Sequence, residues 1–211
     1  MSDSCSSPTG HPSDCEIMEG YRSMARKRGT PQTDPYRMRA LARAKEIKLL
    51  LLDVDGVLTD ATLLYSDGSG ESKSFHTKDG FGLRLLREAG ISTGIITARK
   101  SEVVQRRAVE LKMDYIHQGA IDKNNAFREI RKQSGLKPFE IAYMGDDWLD
   151  LVLLLQVGLA VAPADAEPEV LEAVHFITKR DGGHGAVRDC CNLLLESRDS
   201  LSKLLQKYKT R

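Results

Sequence analysis

Apolar residues gather into short unbroken runs from Ile47 onward. Ile47 and Leu49 to Leu52 form a nearly continuous stretch that ends at Asp53-Val54-Asp55-Gly56. A run of this length without polar interruption predicts a parallel strand covered on both faces. Residues 61–76 predict two short strands joined around Asp67-Gly68-Ser69-Gly70, a strong turn sequence. A helix is expected over 80–88, terminated by Gly90. Further strands are expected at 91–97, 114–117, 141–144, 158–162 and 175–177. Helices are expected between and after them: 101–112 with Ser101 as cap, 122–134 closed by Gly135, 148–156, 168–173 and 186–196. This alternation predicts the α/β class, a doubly wound, mostly parallel sheet with a projecting β-hairpin.

The ends of the chain read differently. Residues 1–20 hold four acidic residues and no Lys or Arg, whereas residues 21–48 hold nine basic residues against two acids. Four of the seven prolines fall within residues 1–35, which show no apolar periodicity and no secretory apolar core. Residues 1–40 are therefore expected to be a flexible N-terminal extension, 45–198 the folded domain and 199–211 a basic C-terminal tail. Two other readings of the extension stay open: a basic arm touching nucleic acid or a membrane, and translation beginning at Met18, Met24 or Met38.

Composition excludes several classes. With 211 residues, 41% hydrophobic and 29% charged, the chain can bury a full core without staples. A net charge of +1, from 31 basic and 30 acidic residues, speaks against nucleic-acid binding through a broad basic face. No run of 18 apolar residues exists, so no membrane insertion is expected. Cys5, Cys15, Cys190 and Cys191 form no paired spacing, so neither a disulfide framework nor a thiolate zinc site is expected. They read as free thiols of a cytoplasmic protein, either small hydrophobes or surface groups.

Sheets of this kind bind ligands outside the carboxyl ends of their strands. Those ends carry Asp53 and Asp55, then Thr97, then Lys123 in the loop beyond the third strand, then Asp146 and Asp147. Singly, each has an ordinary reading: a turn residue, a satisfied hydroxyl, a solvated lysine, or, for Asp147 and Asp150, acids favoured in a helical first turn. Together they make a site for phosphoryl transfer. Crowded carboxylates need a cation between them, and oxygen ligands favour Mg2+. Asp53 would attack phosphorus; Asp55 would protonate the leaving oxygen and then activate water. Thr97 and Lys123 would hold the phosphoryl oxygens, and Asp146 would complete a metal shell with Asp53 and the carbonyl of Asp55. A calcium loop is excluded, because glycine is fourth and Leu64 stands at position twelve.

The runs LLLDVDGVLTD, IITAR, Asp122-Lys123 and MGDDWLD resemble, in order, the four motifs of the haloacid dehalogenase superfamily over about 45–195. The resemblance implies the same roles for Asp53, Asp55, Thr97, Lys123 and Asp146. It also implies support of the metal shell by Asp150, with Asp147 beside it. The segments ESKSFHTKDGFG and GGHGAVRD resemble the 3-deoxy-D-manno-octulosonate 8-phosphate phosphatase branch. That branch lacks a cap domain, forms homotetramers, and closes its site with a neighbour's hairpin and C-terminal tail. The 44 residues from Asp53 to Thr97 and the 23 from Lys123 to Asp146 leave no room for a cap domain. Lys78, Gly80, Arg99 and Arg188 are the expected substrate-binding residues, with Arg188 on a mobile Gly182–Gly185 tail and Lys73 a second candidate for the substrate carboxylate. Ala61 and Ala98 depart from the glycines common in the family. The function that the resemblance implies is Mg2+-dependent hydrolysis of 3-deoxy-D-manno-octulosonate 8-phosphate to the free sugar acid and phosphate through an aspartyl-phosphate. The alternatives are a nine-carbon sugar-acid 9-phosphate as substrate, a phosphate-accepting receiver, or a non-catalytic assembly domain of the same fold.

Overall fold

Leu49–Leu52 form β1, and all four side chains are fully buried. In the computed structural model, which describes residues 35–66 and 70–210, this strand lies inside a six-stranded parallel sheet. The other strands of that sheet are β4 (Ser92–Thr97), β5 (Tyr115–Gln118), β6 (Ile141–Met144), β7 (Leu159–Ala162) and β8 (Phe176–Ile177). Their order is β5-β4-β1-β6-β7-β8. Leu52 stands opposite Ile95 on one side and Met144 on the other.

The leucine run is explained by two cores. Leu50 and Leu52 join Ile95, Met144 and Leu194 on one face; Leu49 and Leu51 join Ile96, Phe127 and Ile130 on the other. Each buried leucine contributes roughly 1.5–3 kcal/mol relative to exposure, so neither face tolerates a polar position. Helices α2 (Thr77–Glu88) and α7 (Ala186–Glu196) cover the first face, and α4 (Lys123–Ser134) covers the second. Helix α3 (Glu102–Glu110) links β4 to β5, and α6 (Pro168–Ala173) links β7 to β8.

Helix α4 starts where expected: Asp122 accepts hydrogen bonds from the Asn124 and Asn125 amides at 3.0 and 3.3 Å, and Gly135 closes it at φ 70°. Ser101 takes the cap position of α3 but makes no side-chain cap bond. Helix α2 begins at Thr77, three residues earlier than the sequence pattern suggests, after His76 in extended backbone. The expected helix over 148–156 is present but ends at Leu154 and is of mixed type. Residues Trp148–Asp150 form a 3-10 turn, and α5 (Leu151–Leu154) adds one turn. Asp150 completes a capping box at the start of the 3-10 turn, its carboxylate turning back onto the amides of Asp146 and Asp147.

Among the described residues, helices form in both terminal segments. Residues 1–34, with Cys5 and Cys15, lie outside the described residues, but Pro35–Ala44 form helix α1. Ala40 and Ala44 are fully buried against the core, and Arg37 pairs with Glu196. Proline at its start suits a first helical turn, but its buried face is made mainly of the small residues Ala40 and Ala44, which made the helix hard to read. At the other end, Ser200–Lys209 form helix α8, with Leu201, Leu204 and Tyr208 packed on the core. Cys190 and Cys191 are buried, and not on the surface; burial pushes the Cys190 thiol up to about 12.

Strands β2 (Leu64–Ser66) and β3 (Gly70–Ser72) form the expected antiparallel hairpin, whose turn residues 67–69 lie outside the described residues. The hairpin and α2 alone fill the interval between β1 and β4, and a 3-10 turn at Pro138–Glu140 alone separates α4 from β6. Among the described residues there is no cap domain, and no helix is long and apolar enough to cross a membrane.

Candidate active site

From β1 the chain crosses to β4 and β5 on one side, then returns to β6 on the other. This reversal opens a crevice at the carboxyl ends of β1, β4 and β6. Asp53 is the first residue beyond β1, and its amide extends the ladder to Met144 O at 2.9 Å. Only 13% of its side chain is exposed, and Oδ2 lies 3.0 Å from Lys123 Nζ. Oδ1 is buried without a hydrogen-bond partner. Burial raises the Asp53 pKa to about 7, helped by the Asp150 charge and opposed by Lys123.

Asp146 follows β6 and faces Asp53. Its Oδ1 is likewise buried and unpartnered. Burial, then the charges of Asp53 and Asp150, raise its pKa to about 8. Oxygens of Asp53, Asp146 and Asp150 all lie within 4.8 Å of one another. Asp150, however, is committed. Its Oδ1 accepts from Tyr143 Oη and from Lys123 Nζ at 2.6 Å, and its Oδ2 accepts from the amides of Asp146 and Asp147 at 3.0 and 3.3 Å. The open lone pairs therefore belong to Asp53 and Asp146. Two half-buried carboxylates, each with one buried and unpartnered oxygen, fit a divalent cation, which would offset their repulsion.

Lys123 occupies the first position of α4 and is buried. Burial opposes its charge, but Asp53 and Asp150 outweigh that and hold its pKa above the ordinary lysine value. Tyr143 Oη lies 3.3 Å from the same ammonium. Burial and the Asp150 charge keep that phenol protonated, so it serves as a donor. Thr97 ends β4, is buried, and its Oγ1 accepts the Arg99 amide at 3.4 Å.

Asp55 turns the other way, toward the hairpin. Its Oδ1 pairs with Lys73 Nζ, and its Oδ2 lies 3.6 Å from Arg99 Nε. Arg99 Nη2 also donates to Glu71 at 2.7 Å, and Lys73 lies 3.5 Å from the same Glu71 oxygen. The loop 182–185 is not a free tail. Gly182 packs so tightly that a β-carbon there would lie 1.8 Å from Gly56 O, and the Gly183 amide donates to Val57 O at 3.0 Å.

The structure thus brings Asp53, Asp55, Thr97, Arg99, Lys123, Asp146 and Asp150 to one end of the sheet. Asp147 is exposed and caps the 3-10 turn. Lys78 and Gly80 lie on α2, and Arg188 lies on α7. Lys78 is exposed at the start of α2, and Gly80 faces Arg107 in a separate cleft of about 530 Å³. Arg188 bonds Asn192 at 2.9 Å and stacks over Phe81. Among the described residues no hydrogen bond or ion pair joins these three to the carboxylates. Helical side chains radiate around their axis, and motif order alone cannot say which of them face the crevice. Sequence reasoning missed Tyr143 and Glu71. The signal for Tyr143 was present: a phenol inside an apolar parallel strand needs a buried partner for its hydroxyl.

The haloacid dehalogenase-like hydrolase family matches residues 112–188. The 3-deoxy-D-manno-octulosonate 8-phosphate phosphatase of Yersinia pestis is 40% identical over 161 residues, covering 76% of this chain and 86% of that protein. The crystal structure of the Yersinia pestis enzyme superposes with a TM-score of 0.76 at 39% identity, covering 78% of this chain and 89% of the other. The Moraxella catarrhalis enzyme, crystallised with a magnesium ion, a phosphate ion and 3-deoxy-D-manno-octulosonate, superposes with a TM-score of 0.78 at 36% identity. It covers 80% of this chain and 97% of the other.

Proposed function

The chain belongs to the 3-deoxy-D-manno-octulosonate 8-phosphate phosphatases, within the haloacid dehalogenase-like hydrolases, and from this premise we propose that it hydrolyses that sugar-acid phosphate to the free sugar acid and phosphate, using Mg2+. The observation that carries the reading is the pair of buried, unpartnered oxygens on Asp53 and Asp146, set beside Lys123.

Asp53 attacks phosphorus, and the ester P–O bond breaks with its electron pair passing to the leaving oxygen. Asp55 supplies the proton that this oxygen takes up. A water then gives a proton to Asp55 while its oxygen bonds to phosphorus, and the bond to Asp53 breaks. Lys123, held by Asp150 and Tyr143, and Thr97 meet the phosphoryl oxygens. Asp53 and Asp146, with the Asp55 carbonyl, would hold Mg2+, which would supply positive charge beside the anionic phosphoryl group. Arg99, 42% exposed at the crevice mouth, meets the sugar acid.

The same reading includes a homotetramer. Leu64 and Tyr65 on the hairpin are 58% and 67% exposed, an apolar surface suited to a second copy, and the capless crevice is open without one. It also includes a cytoplasmic place of work, in keeping with the unpaired Cys190 and Cys191. The test is phosphate release from 3-deoxy-D-manno-octulosonate 8-phosphate with and without Mg2+, beside a panel of sugar phosphates that includes a nine-carbon acid 9-phosphate. Selective turnover that Asp53→Asn abolishes is expected; turnover by Asp53→Asn, or none by the unaltered protein, would refute the proposal.

A further inference from the structure

Lys73 follows β3 directly, and its charged side chain is wholly buried. A buried ammonium costs several kcal/mol unless its charge is met. Here Asp55 Oδ1 meets it, with Glu71 at 3.5 Å. Glu71 binds Arg99 at 2.7 Å, and Arg99 Nε returns to Asp55 Oδ2 at 3.6 Å. The four residues close a ring of alternating charge, and two of its members come from the hairpin segment. The remaining side-chain hydrogen bond of Asp55 is long, from Thr59 Oγ1 to Oδ1 at 3.5 Å. Lys73 is thus the close partner of Asp55, on Oδ1, while Arg99 stands further off, at 3.6 Å from Oδ2. Enclosed by these acids, Lys73 is committed and has no free face for a substrate carboxylate.

We propose that Lys73 is a positioning residue: it grips Oδ1 of Asp55 and leaves Oδ2 as the oxygen that exchanges the proton with the leaving group and with water. The inference rests on the phosphatase reading above and deepens it. A hairpin with an exposed apolar surface thereby carries an internal component of the acid–base apparatus.

The test compares Lys73→Met, Lys73→Arg and Glu71→Gln on two esters. On 3-deoxy-D-manno-octulosonate 8-phosphate, Lys73→Met lowers kcat roughly 100-fold with KM within about threefold, and Lys73→Arg recovers to within about tenfold of the unaltered protein. p-Nitrophenyl phosphate has a leaving group that needs no proton. With it, the first turnover of Lys73→Met stays within about threefold of the unaltered protein while later turnovers slow, giving a burst of about one p-nitrophenol per site. Glu71→Gln shows the same dependence on leaving group with a smaller loss, which guards against a folding defect in Lys73→Met. Equal first-turnover losses on both esters, or a rise in KM confined to the sugar acid, would overturn the proposal. Absence of phosphate release from either ester by the unaltered protein would instead overturn the phosphatase reading.

Discussion

Gly56 leaves the space that Asp146 fills: a β-carbon on Gly56 would lie 1.9 Å from Asp146 Oδ2. Gly56 also sits at φ +84°, a conformation that side-chain-bearing residues rarely adopt. The turn after β1 and the turn after β6 are thus fitted to each other, and the two carboxylates of the cation site are set by one missing side chain.

Gly56→Ala should be far more damaging than its size suggests. Backbone strain costs roughly 1–3 kcal/mol, and Asp146 must also move away from Asp53. Activity at saturating substrate should fall by about 100-fold or more, with a rise in the Mg2+ concentration for half-activation. Urea unfolding measures the stability loss, and a magnesium titration of activity measures the site. Unchanged half-activation would show that Asp146 is not a ligand.

Tyr143→Phe and Lys123→Met separate the two buried partners of Asp150. Removing the hydroxyl leaves Lys123 on Asp150 Oδ1, so Tyr143→Phe should cost about 1–2 kcal/mol and a few-fold in kcat. Removing the ammonium leaves Asp53 and Asp150 facing each other without a cation. Lys123→Met should therefore cost about 3–5 kcal/mol in the metal-free protein and abolish turnover. Denaturant unfolding in EDTA, paired with phosphate release, should give this order; the reverse would place the main support on Tyr143.

Why the sequence revealed so much of the fold, and less of the site, follows from what each depends on. The unbroken Leu49–Leu52 run has one physical solution, a strand buried on both faces, and Asp122 and Gly135 bracket α4 by backbone chemistry alone. Asp53, Thr97, Lys123 and Asp146 were legible because strand ends converge in a parallel sheet. What Lys78 and Arg188 meet depends on helix rotation, which no spacing records, and α1 was missed because Ala40 and Ala44 read as small residues until α7 packs near them. The ring joining Lys73 to Asp55 was hidden because it depends on how the hairpin folds back, a long-range event that no local spacing records.

The raised pKa values of Asp53 and Asp146, about 7 and about 8, carry a prediction for the metal-free protein. Between the ordinary carboxylate value of 3.8 and these values, the folded form holds protons that the unfolded chain has released. Stability is therefore greatest at the acid side of this window and falls as pH rises through about 7 to 8. Thermal melting in EDTA should show Tm decreasing across this range, and Asp146→Asn should flatten the slope. Added Mg2+ should raise Tm most at the alkaline end, where protons no longer compete for the carboxylates. A metal-free Tm that climbs across the window would contradict the burial argument.

Gly182 lies against the first catalytic turn, where a β-carbon would meet Gly56 O at 1.8 Å; its amide is held by Asp165 Oδ1 at 2.8 Å. Because Gly56 O belongs to rigid backbone, Gly182→Ala cannot be relieved by a side-chain rotation. Either loop 182–185 lifts off or the turn holding Asp55 and Gly56 shifts. A shift of the turn should reduce kcat by about tenfold or more, since small displacements of catalytic groups are costly, and should weaken activation by Mg2+. Lifting of the loop should leave magnesium activation intact and speed proteolysis near residue 182. Measuring both on one variant decides whether this loop acts as a wall behind the catalytic turn. A Gly182→Ala protein with unaltered kcat, magnesium response and proteolysis would mean that the contact bears no load.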